Sequence, residues 1–163
     1  MSQDGPGVDL PTSIGYLLKE TATALRTAME AVLRPLGMTV THYSCLELLA
    51  QRPGSSNSEL ARGTFVTRQS MNVLLQTLER DGVVTRPSEA RSGRVMPAQL
   101  TERGRRDLAA ATAAVRGVED RMLSDLDEDD RAAARRLLQS MVRSLRGADP
   151  TPAASGPQDD DAG

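Results

Sequence analysis

Ser56–Leu100, SNSELARGTFVTRQSMNVLLQTLERDGVVTRPSEARSGRVMPAQL, is the stretch from which the rest of the chain is best read. Ser56-Asn57-Ser58-Glu59 has the S-x-x-E spacing of a capping box, in which a serine oxygen and a glutamate carboxylate satisfy the N–H groups that a helix start leaves open. Leu60 and Ala61 follow as its inward face, and Arg62-Gly63-Thr64-Phe65-Val66 is expected to turn the chain. Thr67 then caps a second helix over Arg68–Arg80, where Met71, Leu74, Leu75 and Leu78 recur at i, i+3, i+4, i+7 and share one face. Asp81-Gly82 closes it. Val83–Pro87 and Arg94–Leu100 are expected as two short strands, with an exposed tip at Ser88–Gly93. Helix, turn, helix and hairpin in this order make a winged helix-turn-helix.

Working outward, Ile14, Leu17, Leu18, Thr21, Leu25, Ala28, Met29 and Val32 follow helical spacing, so a first helix is expected from Ser13 to about Leu33, stopped by Pro35 and Gly37. Thr41 is the expected cap of the next helix, which carries Cys45, Leu46, Leu48 and Leu49 and ends at Pro53-Gly54. Beyond the hairpin a long helix is expected from Thr101 to about Leu126. Asp127-Glu128-Asp129-Asp130 favours a fresh helix start by complementing its dipole, and that helix, to about Arg146, should bury Leu137, Leu138, Met141, Val142 and Leu145. The fold class is therefore mainly α with a small β-hairpin wing. Residues 1–12 and 147–163 are expected as disordered tails around one domain at 13–146, its winged helix-turn-helix spanning about 41–100.

Composition agrees. With 39% hydrophobic residues but only Tyr16, Tyr43 and Phe65 as aromatics, the core must come from Leu, Val, Ala and Met, which suits helices. The formal charge of −2 conceals an asymmetry. Six of the 22 acids lie in the expected tails, so residues 11–146 hold 20 basic and 16 acidic side chains. Between Arg62 and Arg106 nine arginines face only Glu79, Asp81, Glu89 and Glu102, a net of +5, and such local clustering governs polyanion binding more than the overall sum. Nineteen of the 20 basic residues are Arg, which with the abundant Ala suits a high-GC bacterial genome.

A helix that enters a major groove reads base edges with forked or short polar side chains near its N-terminus. Arg68, Gln69 and Asn72 meet that need: Arg suits guanine, and Gln or Asn suits adenine. Thr67 and Ser70 are short enough to contact phosphate at the helix start, and Gln76, farther along, reads as ordinary solvated surface. In the wing, Arg91 and Arg94 are placed to enter a neighbouring minor groove, and Arg86 is a phosphate or structural contact.

These residues resemble a known family, the multiple antibiotic resistance regulators, MarR. The resemblance runs through Ser58-Glu59-Leu60-Ala61, Val66-Thr67-Arg68-Gln69-Ser70-Met71-Asn72, Leu78 to Arg86, Gly93-Arg94-Val95 and Leu100-Thr101-Glu102-Arg103-Gly104, and by element order it covers roughly residues 11–146. It implies a homodimeric transcription regulator on a pseudo-palindromic double-stranded operator, a repressor released by a small aromatic or phenolic effector. The dimerisation helices would be about 13–34 and 102–146. Many relatives carry Asp-x-Arg in the wing, and Ser92-Gly93-Arg94 stands there in this chain, keeping the Arg and losing the Asp. The effector cleft of the family is approached by Tyr16, Met38, His42 and Tyr43, for each of which packing is an equally good account. Two other readings stay open: a protein-interaction module whose basic face docks an acidic partner, and an effector-independent regulator.

Cys45, the sole cysteine, excludes an internal disulfide framework and, within an apolar helix, is expected to be an inert small hydrophobe rather than a redox switch. With His42 the only histidine, no metal site, cofactor site or Cys–His catalytic pair is expected, so the chain reads as no enzyme. No apolar run is long enough to span a bilayer and no secretory signal pattern starts the chain, so a cytoplasmic protein without a membrane partner is expected.

Overall fold

The computed structural model describes residues 7–86 and 98–147. The expected wing tip, with Arg91, Ser92 and Arg94, lies outside the described residues, as do residues 1–6 and 148–163 of the expected tails. The chain divides into two compact units, the first ending at Met122 and the second starting at Leu123.

In the first unit, a short 3-10 turn at Leu10–Thr12, inside the stretch expected as tail, leads to α1 (Ile14–Leu33), which starts where the sequence places it and has Ser13 as its N-cap. A second 3-10 turn, Arg34–Leu36, ends at Gly37 with φ of 70°, the left-handed region that suits glycine. This turn sets the start of α2 (Val40–Gln51): its cap is Thr39, not Thr41, and Thr39 Oγ1 accepts from His42 N at 3.1 Å. With the chain leaving Gly37 in this way, Thr39 is already extended, whereas Thr41 lies inside the first turn of the helix. The capping box of α3 (Asn57–Thr64) is complete: Glu59 N donates to Ser56 Oγ at 3.2 Å and Ser56 N to Glu59 Oε2 at 2.7 Å. The Ser56 N–H, and after it the Ser56 hydroxyl, hold the Glu59 carboxyl below its usual range.

Helix α3 continues into the stretch expected as turn, as far as Thr64. A single residue, Phe65, takes the reversal in the left-handed region at φ 59°. Thr67 caps α4 (Arg68–Arg80), as predicted. Strands β1 (Val84–Thr85) and β2 (Gln99–Leu100) pair antiparallel, Val84 opposite Leu100. Helix α5 (Glu102–Met122) completes the unit and stops short of the expected Leu126.

One core joins α2, α3, α4, the hairpin base and the start of α5. Leu46, Leu60, Met71 and Val84 are its largest fully buried side chains, with Leu74, Leu75 and Leu78 filling in from α4. Each such burial contributes about 1.5–3 kcal/mol. Two glycines mark close approaches. A Cβ on Gly63 would lie 2.6 Å from Leu48 Cδ1, and one on Gly104 would run into the Val83 carbonyl. The Leu100-Thr101-x-x-Gly104 signature thus has a physical cause. Thr101 Oγ1 donates to Gly82 O at 2.7 Å and accepts from Gly104 N at 3.0 Å, so one side chain caps α5 and ties it to the end of α4, while the bare Gly104 lets the two backbones meet.

The second unit is α6 (Glu128–Arg146) and its lead-in. Asp127 caps the helix, accepting from Asp130 N at 2.8 Å, and the acidic first turn suits its dipole. The Arg131 guanidinium takes the Leu123 and Leu126 carbonyls at 2.9 and 3.0 Å. The apolar residues of α6 were expected to be buried. Within this chain Leu137, Leu138, Val142 and Leu145 are exposed, and no α6 residue is buried.

Candidate nucleic-acid interface

The four buried residues of α4 all lie on one side, which leaves Arg68, Gln69, Ser70, Asn72, Val73, Gln76 and Arg80 exposed. Thr67, Arg68, Gln69, Ser70 and Asn72 are therefore brought together at the N-terminal end of one helix, as the sequence predicts. Their hydroxyls are not equivalent. Thr67 Oγ1 accepts from Ser70 N at 3.0 Å and donates to Ser70 Oγ at 2.9 Å, so its proton is committed to the cap. The Ser70 hydroxyl keeps its own proton for an outside acceptor. Of the two, Ser70 is the better phosphate contact.

Helix α4 is held in place from both ends. Asn57 Nδ2, at the start of α3, donates to the Arg68 carbonyl at 3.2 Å, spanning the helix-turn-helix. At the far end Arg103 Nη1 donates to the Asp81 carbonyl at 3.0 Å, and Arg86 Nε lies 3.9 Å from Glu79 Oε2. Arg86 thus has a structural contact, one of the two roles foreseen for it. Asn57 and Arg103 were not singled out from sequence; Asn57 follows a serine cap and looks like an ordinary helix-start residue.

The four residues expected near an effector separate. Met38 and His42 line a cleft of about 350 Å³ with Leu36, Asp81, Arg103 and Asp107. Burial lowers the His42 pKa, partly offset by the Asp81 carboxylate. Tyr16 is exposed near the start of α1 and does not line this cleft. Tyr43 belongs to a different cluster, its hydroxyl donating to Glu47 Oε1 at 3.0 Å. Thr112 of α5 also donates to Glu47 Oε1, at 2.8 Å, and Gln51 to Oε2 at 3.0 Å. Burial disfavours the Glu47 charge, but the hydrogen bonds from Thr112, Gln51 and Tyr43, with Arg116 nearby, outweigh it and hold the carboxyl below its usual range. Glu47 therefore locks α2 to α5.

Cys45 is fully buried, donating to Met71 Sδ at 3.7 Å, and burial pushes its thiol pKa up to about 12. Among the described residues no group of three His, Cys, Asp or Glu is placed to hold a metal ion, and no helix is long and apolar enough to cross a membrane.

A capped polar-faced helix, held behind a second helix and followed by an antiparallel hairpin base, defines a winged helix-turn-helix protein. Residues 36–95 match the model of the MarR family. The HTH-type transcriptional repressor Rv2887 of Mycobacterium tuberculosis is 42% identical over 128 residues, covering 78% of this chain and 92% of that one. Among solved structures, Rv2887 in complex with salicylic acid matches with a TM-score of 0.67 and 42% identity over 80% of this chain and 96% of that one. Rv2887 in complex with DNA matches with a TM-score of 0.67 and 39% identity over 80% and 98%. The chain belongs to the MarR family of transcription regulators.

Proposed function

We propose that this protein is a homodimeric, sequence-specific transcriptional repressor that binds a pseudo-palindromic duplex operator through α4 and leaves it when a small aromatic acid binds. The observation that carries the reading is the exposed N-terminal face of α4, where Arg68, Gln69 and Asn72 project together from a helix braced at both ends. Its roles follow from chemistry: Arg68, Gln69 and Asn72 read base edges, Ser70 and the start of α4 hold phosphate, and the wing residues Arg91, Ser92 and Arg94 reach the adjacent groove. Rv2887, similar in sequence and fold, has been captured with DNA and with salicylic acid, which supports both halves of the proposal.

Dimerisation is supported by the apolar residues left exposed on the terminal helices, Ile14, Leu17 and Leu18 on α1 and Leu137, Leu138, Val142 and Leu145 on α6. A second copy covering them would set two α4 helices about 34 Å apart, one turn of duplex DNA. The cleft beside Met38 and His42 joins apolar side chains to the Arg103 guanidinium, which is paired with Asp107 at 3.6 Å, so an aromatic carboxylate entering there would take the place of Asp107 on Arg103. Such an effector acts by binding better to the dimer form whose α4 spacing does not match the duplex.

The test is fluorescence anisotropy with duplexes enriched by the wild-type protein from its own genomic DNA. Tight binding that weakens steeply with salt and is reversed by salicylate supports the proposal. Failure to retain any duplex at moderate salt would favour the protein-interaction alternative, and retention indifferent to salicylate and related phenolic acids would leave an effector-independent regulator.

A further inference from the structure

With 100° between successive residues, the positions of α4 that point most directly away from Met71, Leu74, Leu75 and Leu78 are Gln69, Val73, Gln76 and Arg80. Three of these four are polar or charged, as an outward face requires. Val73 is not, and it is 58% exposed. Neither folding nor packing explains it. The β-branch lowers helix propensity at an exposed site, and its methyl groups bury nothing in the core.

Val73 lies one turn after Gln69 and directly follows Asn72, at the edge of the face assigned above to base reading. The major groove offers one apolar feature to such a side chain, the C5-methyl group of thymine. We propose that Val73 is a specificity-determining residue that reads a thymine by methyl contact, so that each half-site carries a thymine at a fixed place beside the bases read by Gln69 and Asn72. The inference rests on the DNA-binding reading above and deepens it. Two features favour duplex DNA as the occupant of this position: it is continuous with Arg68, Gln69 and Asn72, and the segment Arg62–Arg106 bears a net charge of +5. The β-branch that weakens the helix has a use in this role. It confines the side chain to essentially one rotamer, so its methyl groups are already placed before the duplex arrives.

The experiment uses the full-length wild-type protein to enrich a duplex from a random-sequence pool, then replaces each thymidine of that duplex in turn by deoxyuridine, which removes the C5-methyl alone. At one position per half-site, wild-type affinity should fall about four- to tenfold. Val73→Ala should bind the unsubstituted duplex more weakly by a similar factor and be indifferent to deoxyuridine at that position. It should also retain the wild-type salt dependence, because no phosphate contact is lost. Its melting temperature should be equal or higher, since alanine is the better helix former, so weaker binding will not reflect unfolding. Equal responses of wild type and variant to deoxyuridine at every position, or undiminished affinity of Val73→Ala, would overturn the proposal while leaving DNA binding intact. A pool from which the wild type enriches nothing would overturn the DNA-binding reading, and this proposal with it.

Discussion

The helix-turn-helix lobe and the terminal helices are built on opposite plans. In the lobe, α4 buries Met71, Leu74, Leu75 and Leu78 and closes its inward face within the chain. On α1 only Leu33 is buried, every residue from Ile14 to Ala24 is exposed, and α6 buries nothing. Both helices are amphipathic by spacing, so the difference is not one of local pattern. It separates the part of the molecule whose apolar face is closed by its own sequence from the part whose apolar face is left open, the face that the proposed dimer would cover.

The sharpest way to break this comparison is to replace one leucine in each region. Leu46→Ala, in the core of the lobe, should cost about 2–5 kcal/mol in denaturant unfolding, through lost burial and the cavity left behind. Leu138→Asp, at an exposed site of α6, should instead convert the dimer to monomer by sedimentation velocity. If Leu138→Asp left the sedimentation coefficient unchanged, the contrast would dissolve.

Next in size is Gly104→Ala, which drives a methyl group into the Val83 carbonyl at the junction of α4 and α5 and should cost about 1–3 kcal/mol. Phe65→Gly runs the other way. Phe65 is exposed and left-handed at φ 59°, so glycine loses no packing and relieves the backbone, for a gain of about 1 kcal/mol.

The smallest effect is a pH dependence. Burial places the folded-state pKa of His42 below its ordinary value of 6.5, so between the two values the unfolded chain binds more protons. Stability is therefore fully present above pH 6.5 and declines as the pH falls toward the folded-state pKa. His42→Gln should flatten that part of the unfolding profile, and an unchanged slope would place the titration elsewhere.

The elements that were legible in sequence are those in which local chemistry and global packing agree. The Ser56–Glu59 box, the Thr67 cap and the i, i+3, i+4, i+7 pattern of α4 each specify one structure. Where the sequence misled, two local solutions were open. Thr39 and Thr41 are equally good caps, and the left-handed turn at Gly37 chooses between them. The reversal after α3 was expected to occupy five residues because nothing marked Phe65 as left-handed; a glycine there would have shown it. Helix α5 was extended past Met122 because the Arg131 guanidinium that takes the Leu123 and Leu126 carbonyls comes from later in the chain.

The proposed site was legible in its polar half. Arg68, Gln69 and Asn72 announce themselves by residue type, whereas Val73 looked like any aliphatic residue until its direction was known. Of the four residues grouped around an effector, Met38 and His42 share a cleft, while Tyr43 is taken by Glu47 and Tyr16 lies outside. Tyr43 and Gln51, each four residues away, and Thr112, 65 residues distant, decide the fate of Glu47, and spacing reveals only the first two.

The central claim, that the N-terminal face of α4 reads bases while the chain acts as a pair, is tested most directly by binding of Arg68→Ala to the enriched duplex and to a random-sequence duplex of equal length. Arg68 placed on a guanine predicts a loss of about 1–3 kcal/mol, five- to 150-fold, on the enriched duplex and a much smaller loss on the random one. Equal losses on both duplexes, or no loss on either, would contradict it.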